Sequence, residues 1–119
     1  MVYNDRFILI NNKNYLKISL KEISMKAYII GRAIVKDKDK SAQYMPLAKK
    51  ANEKFGGKYL ARGGKYITKE GQEFDRNVII EFPSFEKAKA AYESEEYKKA
   101  LSILDDGMER LLVIVEGTE

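Results

Sequence analysis

Three segments of this chain are apolar at both of their alternating positions, namely 27–35, 76–82 and 110–116. Successive side chains of a β-strand point to opposite faces, so a sheet built from these segments has two apolar faces. Helices packed on an antiparallel sheet cover only one face, and an apolar face of this size has to be buried. A second copy of the same sheet is the economical cover. We therefore expect a homodimer.

The first of these strands is followed by an amphipathic helix. Apolar residues recur at three- and four-residue spacing over 41–55, and the stretch Gly56-Gly57 supplies the stop. Asp37 or Asp39 is the expected N-cap. Pro46 lies inside the pattern and leaves two alternatives: a helix that kinks or restarts near Pro46, or a helix that begins there.

The second half of the chain supplies the remaining elements. The segment 58–67 resembles a strand interrupted at Gly63-Gly64, which suggests a bulge or bend. Ser84 and Ser94 are the expected caps of two consecutive helices, and Gly107 closes the second. The order β-α-β-β-α-α-β predicts an α+β, ferredoxin-like βαββαβ fold, with an antiparallel sheet and helices on one face.

Residues 1–24 differ in composition from the rest: 17 of the 24 are Tyr, Asn, Phe, Ile, Leu or Lys, and all eight Gly and both Pro follow Met25. One interpretation is an extra strand or arm, since 15–20 alternate loosely between apolar and polar. The other, which we favour, is a mis-assigned start, with Met25 as the natural first residue and 1–24 a disordered or non-native extension. Either way, we place the functional domain at 25–119.

The chain has no His and no Cys, which excludes thiol nucleophiles, Ser-His triads, zinc fingers and His-ligated haem. Catalysis would have to use carboxylate, arginine, lysine, serine or tyrosine chemistry, or a hard cation. The absence of Cys suits a reducing cytoplasm, and no stretch is long and apolar enough for a membrane span or a signal peptide. We therefore expect a cytoplasmic protein with no membrane partner.

The formal charge of +4 would admit an anionic partner, but residues 1–24 hold four basic and two acidic residues. The remaining 18 basic and 16 acidic residues give 25–119 only +2. This balance, the lack of an aromatic RNA-binding signature in 76–82 and the acidic Glu81 within that strand argue against nucleic acid. The acidic pairs of the chain are explained by helix dipoles and solvation, so we expect no metal site.

Four motifs, in order, carry a family resemblance: KFGGKYLARGG at 54–64, VIIEFPSF at 78–85, YESEEY at 92–97 and VIVEG at 113–117. They resemble the bacterial family "domain of unknown function 1330", of the dimeric α/β-barrel superfamily. The resemblance implies a ferredoxin-like protomer whose dimer pairs sheets face to face. Superfamily relatives are similar to cofactor-free monooxygenases, muconolactone isomerases, haem-degrading enzymes and ligand-sensing domains. The missing His argues against the haem and His-based types, so we expect no cofactor.

Two charged residues interrupt otherwise apolar strands, Arg32 in the first and Glu81 in the third. Because these strands are expected to be neighbours, the two side chains could form a half-buried ion pair that fixes the register. Alternatively, Glu81 is the best candidate for a general base, with Arg32 stabilising an anion.

Arg62, Gly63 and Gly64 form a second candidate, because a glycine pair lets backbone approach a ligand while a guanidinium grips a carboxylate or an enolate. The alternative is a β-bulge with a surface arginine. Tyr44, Tyr59, Tyr92 and Tyr97 could line a small-molecule pocket, although aromatic residues at helical spacing are more often simple core, which we favour for Tyr92 and Tyr97.

These residues support three hypotheses. The first is an enzyme for cofactor-independent oxygenation or isomerisation, in which Glu81 is the base and Arg62 or Arg32 stabilises the anion. The second is a non-catalytic module that binds or senses a small ligand. The third is a structural dimerisation unit.

Overall fold

The computed structural model describes residues 6–9, 11, 15–18 and 25–119. The strands are β1 (Arg6–Leu9), β2 (Tyr15–Ile18), β3 (Ala27–Val35), β4 (Lys58–Arg62), β5 (Arg76–Phe82) and β6 (Met108–Glu116). The helices are α1 (Lys38–Lys54), α2 (Phe85–Glu93) and α3 (Glu95–Leu104). None of these helices is long and apolar enough to cross a membrane.

Strands β3 to β6 form one antiparallel sheet in the order β4-β5-β3-β6. Helices α1, α2 and α3 pack on one face of it, which confirms the predicted α+β, ferredoxin-like arrangement. Two clusters hold most of the buried apolar side chains among the described residues. The first joins β3 and β5 to α2 through Ala27, Ile29, Ile80, Phe82, Ala88 and Ala91, and the second joins α1 to α3 through Tyr44, Ala48, Ala51, Tyr97, Ala100 and Leu104.

Helix α1 begins at the predicted cap, where the Asp37 side chain accepts a hydrogen bond from the backbone N–H of Lys40 at 3.0 Å. The helix continues through Pro46, so the alternative in which it begins at Pro46 is wrong. Pro46 is exposed, and so is Ala42, whose carbonyl loses its partner to the proline. Water can solvate that carbonyl, which explains why the helix tolerates the proline.

Helices α2 and α3 begin as predicted. Ser84 accepts from the backbone N–H of Lys87 at 3.1 Å, and Ser94 accepts from that of Tyr97 at 3.2 Å. Each cap satisfies a backbone donor that has no partner within its helix. The two helices follow each other directly, since Ser94 ends one and caps the next.

Strand β4 is shorter than the predicted strand 58–67 and ends at Arg62. The register with β5 shifts between Tyr59 and Ala61, so a bulge at Gly63-Gly64 is wrong, whereas the alternative of a bend is confirmed at Gly63. Gly63 instead starts the following loop with a φ of 65° and donates its N–H to the carbonyl of Asn77 at 3.0 Å. A residue with a side chain rarely adopts that backbone conformation.

The second face of the sheet carries no helix. Its middle row, Ile79-Ile30-Val113, runs across the three paired strands, and Leu111 and Val115 flank Val113 on the same face. All five side chains are exposed. The prediction that these strands are apolar on both faces is therefore confirmed.

Residues 1–24 are described only in part. Strands β1 and β2 pair antiparallel, with Arg6 opposite Ile18, which agrees with an extra strand over these residues. The rest of the expected extension, 1–5, 10, 12–14 and 19–24, lies outside the described residues. That the native protein starts at Met25 stays a prediction.

Candidate functional site

A cavity lies between the sheet and α1, and it exists because the central strand carries small residues there. Gly31 and Ala33 occupy consecutive helix-facing positions of β3. Ala33 pairs with Arg76 on one side and with Arg110 on the other. Directly paired residues share a face of the sheet, so both arginines project from the helix-facing side, with only a methyl group between them.

The cavity has a volume of about 70 Å³. Its apolar lining comes from the sheet and from α1, and its polar lining consists of arginines, tyrosines and one asparagine. The residues that line it include Ile29, Gly31, Arg32, Ala33, Tyr44, Met45, Ala48, Asn52, Tyr59, Arg62, Arg76, Val78, Ile80, Tyr97, Met108, Arg110, Leu111 and Leu112. A cavity that holds one water molecule needs at least about 10–15 Å³, so this one has room for a small molecule.

Arg76 is half-buried, and no described residue accepts a hydrogen bond from its guanidinium or forms an ion pair with it. Burial lowers its pKa, and the positive charge of Arg62 lowers it further. Arg62 lies over the ring of Tyr59, 5.2 Å from its centroid. A Cβ at Gly63 would lie 3.0 Å from Nη1 of Arg76, so the glycine leaves space for this guanidinium. Two arginines thus meet at the cavity without a carboxylate between them.

Arg110 joins two tyrosines on the other side of Ala33. Its Nη1 donates to the hydroxyl of Tyr44 at 2.9 Å and to that of Tyr97 at 3.1 Å, and the two hydroxyl oxygens lie 2.6 Å apart. Only one of the two hydroxyl hydrogens can lie between the oxygens. The other hydrogen remains for an acceptor beyond the pair.

Burial raises the pKa of Tyr44 far above its ordinary value, Tyr97 raises it further, and Arg110 opposes the shift. Burial also raises the pKa of Tyr59, while the hydrogen bond from Nδ2 of Asn52 to its hydroxyl, at 3.0 Å, lowers it. Both tyrosines are therefore neutral hydrogen-bond donors near neutral pH. Together with the arginines, they make most of the polar part of the cavity hydrogen-bond donors; the exception is Oδ1 of Asn52, a buried acceptor with no partner among the described residues.

Glu81 lies on the opposite face of the sheet. Its carboxylate forms an ion pair with Lys26 at 3.4 Å and accepts a hydrogen bond from Tyr28 at 3.5 Å. The register pairs Tyr28 with Glu81, and Arg32 with Asn77 four residues away along β5. Four residues of a strand span about 13 Å, so the expected ion pair between Arg32 and Glu81 is not formed.

Arg32 borders the cavity, but its side chain projects from the uncovered face of the sheet, because it lies between Gly31 and Ala33 and pairs with Leu111. Its Nε donates to Oδ1 of Asn77 at 2.8 Å, and the guanidinium lies over the ring of Phe74, 4.7 Å from the centroid. An arginine engaged by an amide and an aromatic ring is less free to grip a ligand than Arg76 is. Arg32 is therefore not one of the arginines that offer donors to a ligand in the cavity.

The other expected site residues divide into two groups. Tyr44, Tyr59 and Arg62 line the cavity, whereas Gly63, Gly64 and Tyr92 do not. Gly63 contributes indirectly, because its lack of a side chain leaves space for the guanidinium of Arg76. A Cβ at Gly64 would meet nothing within 4 Å. Tyr92 is 37% exposed, with its ring centroid 5.2 Å from that of Tyr97.

Sequence reasoning missed Arg76 and Arg110, because an arginine at the start of an apolar strand is normally read as a surface residue. The signal that could have found them is the pair of small residues, Gly31 and Ala33, two apart on the central strand. No group of three or more acidic, His or Cys side chains suited to a metal occurs in 25–119 or in the other described residues.

A family model described as "Domain of unknown function (DUF1330)" matches residues 26–118, most of the chain. The chain belongs to the DUF1330 family. Among proteins with curated descriptions, none is similar enough in sequence to this DUF1330 member to match it.

Solved structures resemble this DUF1330 protein in fold. A protein of unknown function from Rhodopseudomonas palustris has a TM-score of 0.65 and 14% identity, over 81% of this chain and 85% of that chain. A dimeric ferredoxin-like protein of unknown function from Thermobifida fusca has a TM-score of 0.55 and 15% identity, over 79% and 92%. A candidate antibiotic biosynthesis monooxygenase from Caulobacter crescentus has a TM-score of 0.51 and 13% identity, over 81% and 92%. At these identities the likeness establishes the ferredoxin-like fold alone.

Proposed function

We propose that this DUF1330 protein is a cytoplasmic homodimer that binds a small organic anion in the cavity beneath α1. The proposal rests on the environment of Arg76. Its guanidinium is half-buried, lies near Arg62 and has no acceptor among the described residues. Burying a charge without a partner is costly, and an anionic ligand would supply the missing charge and the missing acceptors.

Apart from the acceptor Oδ1 of Asn52, the other polar groups of the cavity favour the same ligand. Arg110 and the hydroxyl pair of Tyr44 and Tyr97 are donors, with one hydroxyl hydrogen left over. None of the described residues that line the cavity is acidic. A cationic ligand would meet only like charge there, whereas an anion meets donors from both sides of Ala33.

The uncovered sheet face supports the homodimer. Its row Ile79-Ile30-Val113 is exposed in the protomer, and a two-fold axis through this row would bury the apolar faces of two sheets against each other. The Thermobifida fusca protein with a similar fold is described as dimeric.

Thermal unfolding with a panel of small carboxylates, phenolates, phosphate and neutral amides tests the proposal. A ligand that binds only the folded protein raises the melting temperature with concentration. We expect a rise with one or more organic anions and none with matched amides. Arg76→Met should abolish it, whereas Lys50→Met, which removes an exposed positive charge from α1, should not. A rise that survives Arg76→Met would refute the proposed site.

A catalytic version of this function, cofactor-independent oxygenation or isomerisation, is the second candidate. Its support is the combination of anion-stabilising donors with an apolar floor at Ile29 and Ile80. Glu81 lies on the other face of the sheet and does not line this cavity. The substrate would have to ionise without a protein carboxylate. Oxygen uptake, together with NMR detection of an isomerised product, is measured with each anion that raises the melting temperature and distinguishes this candidate from simple binding.

A further inference from the structure

The helix-facing side of the sheet changes from charged to apolar in three successive rows. The first row is Arg76-Ala33-Arg110, the second is Val78-Gly31-Leu112, and the third is Ile80-Ile29-Ile114. Consecutive rows on one face are two residues apart, or about 7 Å. The residue of the central strand is small in the first two rows and large in the third, so the space is open over Ala33 and Gly31 and closes at Ile29.

We propose that the ligand of this cavity is a short-chain aliphatic monocarboxylate, with its carboxylate over Ala33 between Arg76 and Arg110 and its alkyl chain over Gly31. This inference rests on the proposed function, and it names the chemical class of the anion. The charged row supplies guanidinium donors on both sides of the carboxylate. The second row supplies apolar contacts from Val78 and Leu112.

The rows set the length of the ligand. The space is open over Ala33 and Gly31, which lie about 7 Å apart, and it closes at Ile29. A carboxylate over Ala33 leaves the row at Gly31 for the alkyl chain, which suits the chains of propionate, butyrate and pentanoate, whereas the chain of octanoate would run into the row at Ile29.

Gly31 allows a direct test of where the chain lies. A Cβ built at Gly31 has its nearest neighbour, the carbonyl oxygen of Leu111, at 3.9 Å, which is an ordinary contact. The Gly31→Ala variant should therefore fold normally. Its added methyl group should occupy space that the alkyl chain of the ligand would otherwise fill. Gly64→Ala is the matched control, because its Cβ would meet nothing within 4 Å and lies outside the cavity.

The experiment is calorimetric titration of the full-length protein with the straight-chain acids from acetate to octanoate, together with benzoate and phosphate. Each methylene that enters the apolar row should tighten binding about fourfold, up to butyrate or pentanoate. Hexanoate and octanoate should bind more weakly than pentanoate. Gly31→Ala should weaken pentanoate about tenfold and propionate less than threefold, while Gly64→Ala should leave both unchanged.

The outcomes separate this inference from the proposed function. If benzoate or phosphate binds through Arg76 but the short acids do not, the inference is overturned and anion binding stands. If no anion in either panel binds, both are overturned. If affinity continues to rise through octanoate, or if Gly31→Ala weakens every acid equally, the ligand length and the placement of its chain are wrong.

Discussion

Val113 is the most informative position on the uncovered sheet face, because it ends the middle apolar row and is 53% exposed in the protomer. Full burial of a valine side chain contributes about 1.5–3 kcal/mol, so roughly half of that, about 1 kcal/mol, is gained when a dimer forms. A two-fold interface contains the residue twice, which gives about 2 kcal/mol. Val113→Asp removes this gain and buries two unpaired carboxylates at a cost of several kcal/mol. We expect the dimer to weaken by at least about 10³-fold.

Sedimentation velocity over a range of protein concentrations measures this change. The wild type should sediment as a dimer and Val113→Asp as a folded monomer, with an unchanged far-ultraviolet spectrum. Ile67→Asp is the control, since Ile67 is 77% exposed in the loop between β4 and β5 and lies outside the row. A monomeric wild type, or a Val113→Asp dimer within a few-fold of the wild-type dissociation constant, would refute the reasoning.

Three further predictions concern the cavity. Arg76→Met keeps the packing of the side-chain stem and removes the repulsion from Arg62, so urea unfolding should show unchanged stability or a gain of up to about 1 kcal/mol, with anion binding lost. Tyr97→Phe removes its hydrogen bonds to Tyr44 and Arg110 and should lower the free energy of unfolding by about 1–3 kcal/mol; a loss under about 0.5 kcal/mol would contradict the network. Because burial raises the pKa of Tyr44 in the folded protein, the Tyr44 hydroxyl loses its proton at a lower pH in the unfolded chain than in the folded one. Stability present below about pH 10 should therefore fall as the pH rises further, by up to about 1.4 kcal/mol per pH unit, and Tyr44→Phe should reduce that slope.

The fold was predictable because local signals agreed with one another. Asp37, Ser84 and Ser94 each precede an amphipathic pattern, and each caps a helix in the structure. The exact end of β4 was not predictable, since the segment after Arg62 keeps a strand-like composition. Its departure from the sheet depends on Gly63, whose positive φ is a property of the folded loop.

The site was less predictable, because it depends on the face and the register of each strand. In a strand that is apolar on both faces, the pattern does not show which face meets the helices, so Glu81 could not be placed. The structure puts it beside Lys26 and Tyr28, away from the cavity. Likewise, Arg76 and Arg110 are 34 positions apart in sequence, and only the pairing of both with Ala33 brings them to one row.

The central claim is that a small organic anion binds between Arg76 and Arg110. The chain has five arginines, Arg6, Arg32, Arg62, Arg76 and Arg110, so a ¹⁵N-arginine spectrum of the side-chain Nε–H groups contains few signals to assign. Titration with butyrate should shift the signals of Arg76 and Arg110, with Arg62 following as a near neighbour. Arg32, held by Asn77 and Phe74, should not move. Signals of Arg76 and Arg110 that stay in place at saturating butyrate and at saturating concentrations of the other anions would contradict the account.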